Sequence, residues 1–465
     1  MNLELAHITG ISISLLAILA LSIYSGKFAK KSQGAKSWIV AGAIMGTLVG
    51  GSSTVGTAQL AYHYGMSAWW FTLGSGIACL ILALVYVKPL RNTRCSTLTA
   101  IIRTEYGPAC GMAASILSSF GSFINIISQL IAATAIIAVI FPGFSLPLAL
   151  VISAVFMVLY IIFGGTKGSG IVGVLKMLLL YVTMLSSGAI VLRLCGGLGG
   201  VLRMVSGIEN PESIRFFSLF ARGAGTDLGA CLSLTLGVIT TQSYAQSIFI
   251  ARDTPEARKG ALLSAVMIPP VGIGGILVGL YMRAAHPGIA AKTALTLFVT
   301  EYIPPLIGGL ILGALFIAVV GTGAGLALGI ATVLKNDILS SVLPQNATQT
   351  HSRLWERILI VLTLCLAVCL SMGSLGDMIL SFAFLSMGLR GATIFLPLCC
   401  ALWLPGKVDK AYVLVSILAG PLVVLLFGLW DALPFDPLFA GVLASGIIMA
   451  SGVWAKRSKR TLPSK

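Results

Sequence analysis

Apolar residues run in blocks of about 20 along almost the whole chain, the length needed to cross the hydrocarbon core of a bilayer as a helix. Thirteen such stretches are predicted, at about 5–25, 38–63, 67–87, 108–141, 145–164, 171–194, 225–249, 261–282, 304–333, 357–376, 379–403, 411–430 and 437–455. The connections are short. The longest polar ones, about 196–223 and 335–356, are too small for a separate domain. The fold class expected is therefore all-α, a polytopic membrane protein of about 13 helices.

Charge gives this pattern a direction. Of the 30 Lys and Arg residues, 22 fall after odd-numbered spans or in the tail. Examples are Lys27, Lys30, Lys31 and Lys36 after the first span, Arg252, Arg258 and Lys259 after the seventh, and Lys456 to Lys465 at the end. Basic residues collect on the cytoplasmic side, so the N-terminus is expected outside and the C-terminus inside. An even number of spans would destroy the alternation. The net charge of +16 is thereby explained by topology, and nucleic-acid binding is not expected. Composition agrees: 57% of residues are hydrophobic and 9% charged, against about 25% charged in soluble domains. The first span carries no preceding Lys or Arg and is not expected to be a cleaved signal.

Two spans are interrupted. The second contains Gly50-Gly51-Ser52-Ser53-Thr54, and the seventh contains Gly237, then Thr240-Thr241-Gln242. Unwound backbone at membrane depth is tolerated only against protein or a watery cavity. The two spans are five apart. A unit of five helices inverts its topology when repeated, and matched interruptions in inverted halves point to a midplane binding site of a transporter. Small-residue helix contacts are the plainer reading of the same glycines.

At these residues the chain resembles the sodium:solute symporter family of the amino acid-polyamine-organocation superfamily, over about residues 40–405. The resemblance rests on Tyr62-x-x-Gly65, on Thr97-Leu98 with Tyr106-Gly107, and on Gly164-Gly165. It continues through Thr241-Gln242, Gln246, Ala251-Arg252-Asp253 and Ala257-Arg258, then Ala318-x-x-Gly321-Thr322 and Lys335-Asn336-Asp337. It implies a LeuT-type inverted-repeat core. The first repeat would occupy 37–195 and the second 224–405, with an external loop at 196–223. Peripheral segments would be 1–36, one helix and a basic loop, and 406–465, two helices and a basic tail. The implied activity is alternating-access symport of a small organic solute with a cation, Na+ in this family, and no other cofactor. The implied cation ligands are Gly46, Val49, Ala318, Gly321 and Thr322. Gly321 has no hydroxyl, so one family ligand is missing. A second departure is Lys176, where relatives often carry a polar pair. An ammonium beside the site would repel Na+. Lys176 could replace the ion, giving an H+-coupled or ion-independent transporter of the same fold. A structural ion pair, or snorkelling to the interface from a position close to Lys167, are the plainer readings.

Arg390 is placed mid-span, where charges are costly and face protein or water. It is expected to grip an anionic solute through a bidentate fork, or else to form a fixed ion pair, with Asp227 and Asp377 as the nearest acidic candidates. The remaining solute candidates are Leu48, Ser53, Thr57, Gln59, Thr241 and Gln242. Trp69 and Trp70 are expected in an interfacial belt. Cys365 and Cys369 are expected as small core residues. The four His are scattered, and neither paired carboxylates nor a nucleophile motif accompanies them, so an enzyme is not expected. Channel and sensor roles also lack a signature. The expected partners are the solute and membrane lipid, and the expected location is the plasma or inner membrane.

Overall fold

The computed structural model describes residues 4–28, 34–208, 214–339, 352–373, 379–430 and 435–461. Lys30, Lys31, Asp377 and Lys465, and the side chains of Lys27, Lys167, Lys459 and Arg460, lie outside the described residues. The regular structure of the described residues is helical, with one isolated bridge between Ala35 and Ala251 and no sheet among them.

In chain order the helices are α1 (Leu5–Phe28), α2 (Ser37–Leu48), α3 (Thr57–Tyr64), α4 (Trp70–Ile81), α5 (Val87–Asn92), α6 (Leu98–Tyr106), α7 (Pro108–Ile140), α8 (Leu146–Cys195) and α9 (Leu198–Ser206). They continue with α10 (Ala224–Thr240), α11 (Gln242–Phe249), α12 (Thr254–Ala285), α13 (Ala294–Tyr302), α14 (Pro305–Val333), α15 (Ser352–Ser371), α16 (Ile379–Trp403), α17 (Lys410–Trp430) and α18 (Pro437–Thr461). Each of the thirteen apolar stretches carries helix. Among the described residues nine segments are long and apolar enough to cross a membrane, or ten when the bent pair α10–α11 counts as one span. Shorter apolar helices are present at Leu5–Ala17, Ser37–Leu48 and Leu146–Ile162.

One connection differs from expectation. The fifth and sixth stretches, with a junction expected at Gly164-Gly165, form a single 50-residue helix, α8.

Both expected interruptions are present. The α2 helix ends where Val49 turns extended, at φ −90° and ψ 101°. The chain resumes as a π-helical turn over Ser52–Gly56 before α3. Thr241 is extended in the same way, at φ −91° and ψ 123°, and α10 and α11 meet there at 47°. The two broken spans are also joined at one end. Ala35 N–H donates to Ile250 O at 2.9 Å, and Arg252 N–H donates to Ala35 O at 2.9 Å.

Packing sets the position of the first break. The α2 helix lies between α8, α12 and α14. Its approach to α8 is backbone to backbone: a Cβ on Gly173 would come within 1.9 Å of Gly42 O. Nothing larger than hydrogen fits at 173, and this contact presses the next turn of α8, with Lys176, against the end of α2. On the other side α14 supplies a buried face that includes Ala318, Gly321 and Thr322. A Cβ on Gly50 would lie 2.3 Å from Thr322 Oγ1, so α14 touches the unwound segment itself.

Candidate functional site

At the first break the freed backbone groups find side-chain partners. Gly50 N–H donates to Ser53 Oγ at 2.8 Å, and the hydroxyls of Ser53 and Thr54 donate back to Gly50 O at 3.0 and 2.8 Å. Gly51 N–H donates to Gln129 Oε1 at 2.9 Å, and Gln129 Nε2 donates to Ser52 Oγ at 2.9 Å. Gln129 on α7 lies beside Asn125 and Ser128, and the sequence signal for this group is a Gln and an Asn four residues apart inside an apolar span. Replacing Gln129 by Leu strands the buried Gly51 N–H, at a cost of about 1–3 kcal/mol. Gln129→Leu is therefore expected to lower the thermal unfolding midpoint in detergent, and an unchanged midpoint would show that water serves that group instead.

Of the oxygens expected to hold a cation, those of Gly46, Val49 and Thr322 lie together here. Thr322 Oγ1 lies 3.4 Å from Val49 O, and Gly46 O and Thr322 Oγ1 share one neighbour. That neighbour is Lys176. Its Nζ donates to Gly46 O at 2.5 Å and to Thr322 Oγ1 at 2.7 Å. Lys176 is 2% exposed, so it neither snorkels nor pairs with an acid among the described residues. Gly321, lacking the hydroxyl, faces the ring of Tyr160. The oxygens suit a hard cation, but an ion touching both would sit within about 4 Å of the lysine nitrogen. Two unit charges that far apart repel by about 4 kcal/mol at an effective dielectric of 20.

At the second break Arg390 on α16 is wholly buried. Its Nη1 donates to Thr241 Oγ1 at 2.7 Å, its Nε to Ser386 O at 3.1 Å, and its Nη2 to Ser386 Oγ and Met387 Sδ, each at 3.0 Å. No acidic side chain among the described residues pairs with it. Asp227, one of the two candidates for that role, is committed elsewhere: Arg222 holds it at 2.7 Å, and Ser67 Oγ donates to it at 2.6 Å. The other, Asp377, lies outside the described residues.

The other solute candidates separate. Thr241 and Gln242 stay together at the second break. Gln242 lines a small polar pocket along with Thr99, Ser118, Ser119, Thr240 and Ser243. The Ser119 hydroxyl in that pocket is buried with no hydrogen-bond partner. Leu48 and Ser53 are buried at the first break. Thr57 donates to Ser52 O at 3.2 Å, and Gln59 Oε1 accepts from Ile379 N–H at the start of α16 at 3.0 Å. Trp70 is buried and donates to Leu219 O at 2.6 Å. Trp69, half-buried, donates to Pro269 O at 2.9 Å. Cys365 and Cys369 are exposed on α15 and are not core residues.

The family model described as sodium:solute symporter matches residues 31–416. The chain belongs to the sodium:solute symporter family. This symporter-family chain also shares its fold with solved transporters. A substrate-bound, outward-open Na+-coupled sialic acid symporter aligns with a TM-score of 0.77 at 16% identity, covering 98% of each chain. Mhp1, a nucleobase-cation-symport-1 family transporter, in a closed conformation with bromovinylhydantoin bound, aligns with a TM-score of 0.58 at 13% identity over 92% of this chain and 94% of the other. The inward-facing form of Mhp1 gives 0.55 at 14% identity, covering 92% of each. Two spans broken part-way along their length in an all-helical bundle are in keeping with this architecture. The family member is thus a multi-pass membrane protein and a secondary transporter of a small solute.

Proposed function

We propose that this transporter carries a small organic solute bearing a carboxylate, in symport with Na+. The observation that supports the anionic solute is Arg390, a fully buried guanidinium beside the second break with no acidic partner among the described residues. A buried unpaired charge is expensive, and a carboxylate held by the guanidinium fork would offset that cost. The Thr241 hydroxyl and the polar cavity reaching Gln242 supply neighbouring donors and acceptors for the rest of the solute.

In this reading the two broken spans, α2–α3 and α10–α11, move with their partners against the rest of the bundle. The N-terminus is outside, the C-terminus inside, and residues 37–195 and 224–405 are the two inverted repeats. The cavity beside Gln242, Thr99 and Ser118 then opens toward the cytoplasm. Coupling arises when the cation binds the outward and inward forms unequally.

The test is uptake of a panel of labelled carboxylates by proteoliposomes holding the purified protein. Accumulation above equilibrium is expected with an inward Na+ gradient, and it should collapse when the gradient is dissipated. Uptake of neutral solutes alone would contradict the Arg390 assignment. Accumulation that ignores Na+ would contradict the coupling.

A further inference from the structure

The lysine amino group stands on the same two oxygens that the resemblance assigns to the ion, and nothing in the transport reading requires it there. Three features of the fold hold it in place. Gly173 brings α8 into backbone contact with α2 one turn before Lys176. Gly46 O is a carbonyl in the last turn of α2 before the break, and Thr322 comes from α14 with its hydroxyl buried. A nitrogen at 2.5 and 2.7 Å from these oxygens ties α8 to both α2 and α14, the two helices that an ion at this place would bridge.

We propose that Lys176 is a tethered competitor of Na+ for the site between α2 and α14. Its amino group holds the three helices together when no ion is bound. A sodium ion reaches Gly46 O and Thr322 Oγ1 only by displacing it. The tether makes this a competition against a high effective concentration, so the site of the native chain binds Na+ weakly. The inference rests on reading these oxygens as the family's cation site. It does not need the solute, and its test reads ion binding without transport.

The experiment is the thermal unfolding midpoint of the purified protein in detergent, titrated with NaCl against choline chloride at constant ionic strength. A ligand that binds only the folded state raises the midpoint by mass action. In Lys176→Met, which keeps the length of the chain without its nitrogen, the Na+ concentration for half the full shift is expected to fall at least 10-fold below that of the native protein. Lys176→Ala should show the same fall, which guards against a packing fault peculiar to methionine. Adding Thr322→Ala to Lys176→Met should remove the gain, tying it to this site. The inference is overturned if both Lys176 variants fold and respond to Na+ as the native chain does or more weakly. It is overturned equally if the gain survives Thr322→Ala. Na+-driven uptake could fail while the gain in ion binding stands, and that outcome would count against the transport reading alone.

Discussion

Arg390→Gln is expected to reach the membrane in normal amounts and to lose uptake of a carboxylate solute by about 30-fold or more, corresponding to the 2 kcal/mol or more typical of a lost buried charged contact. A guanidinium presents five N–H groups, and here they meet a threonine hydroxyl, a serine hydroxyl and carbonyl, and a methionine sulfur. None of these neutralises it. When one member of a buried ion pair is removed, the other is left as an uncompensated charge, at a cost of about 3–5 kcal/mol. Among the described residues no such orphan would result, so removing this charge should not unfold the bundle. Arg390→Lys keeps the charge but loses the fork, and it should retain only part of the uptake. Normal expression with lost uptake supports the anion role. Loss of the protein from the membrane in both variants would show that Arg390 is structural.

Gly173→Ala is the second large effect. The added Cβ would lie 1.9 Å from Gly42 O and 2.7 Å from its carbonyl carbon. Both are backbone atoms of a buried helix, so the strain cannot be relieved by turning a side chain. Overpacking typically costs about 1–3 kcal/mol, and a backbone clash belongs at or beyond the upper end. The variant is expected to unfold at a markedly lower temperature, and any folded fraction should lose the Lys176 bridge. Gly143→Ala is the control, because a Cβ there meets nothing within 4 Å. Equal midpoints for the two variants would mean that α2 and α8 are not in contact at Gly173.

The bundle was legible in the sequence because its solvent is lipid. Thirteen apolar stretches and the alternation of basic loops need no tertiary information. The breaks were legible for a related reason: Gly50-Gly51 and Thr240-Thr241 interrupt stretches that are otherwise good helix formers. The junction expected at Gly164-Gly165 lies within the helical run of α8, and residue type alone does not separate a glycine at a helix end from one inside a helix. Lys176 shows where reading along the chain stops. Its distance from Lys167 suggested a side chain able to reach the interface. Its actual direction depends on Gly173 lying against Gly42, 131 positions away in sequence. The service of Gln129 to the Gly51 N–H is invisible for the same reason. Arg390 stood out as a charge in an apolar run, but its lack of an acidic partner among the described residues needed the packed bundle, since Asp227 is drawn away by Arg222.

The central claim is that the two interrupted spans line a path open to water, and thiol labelling tests it most directly. Thr240→Cys should react with a membrane-impermeant charged thiol reagent in inside-out vesicles, with the unsubstituted protein as the blank and Ala135→Cys on the buried face of α7 as the unreactive reference. The reaction should slow when a transported carboxylate is present. A Thr240→Cys protein that is folded yet inert from both faces of the membrane would contradict the account, because the second break would then be sealed in protein with no route for a solute.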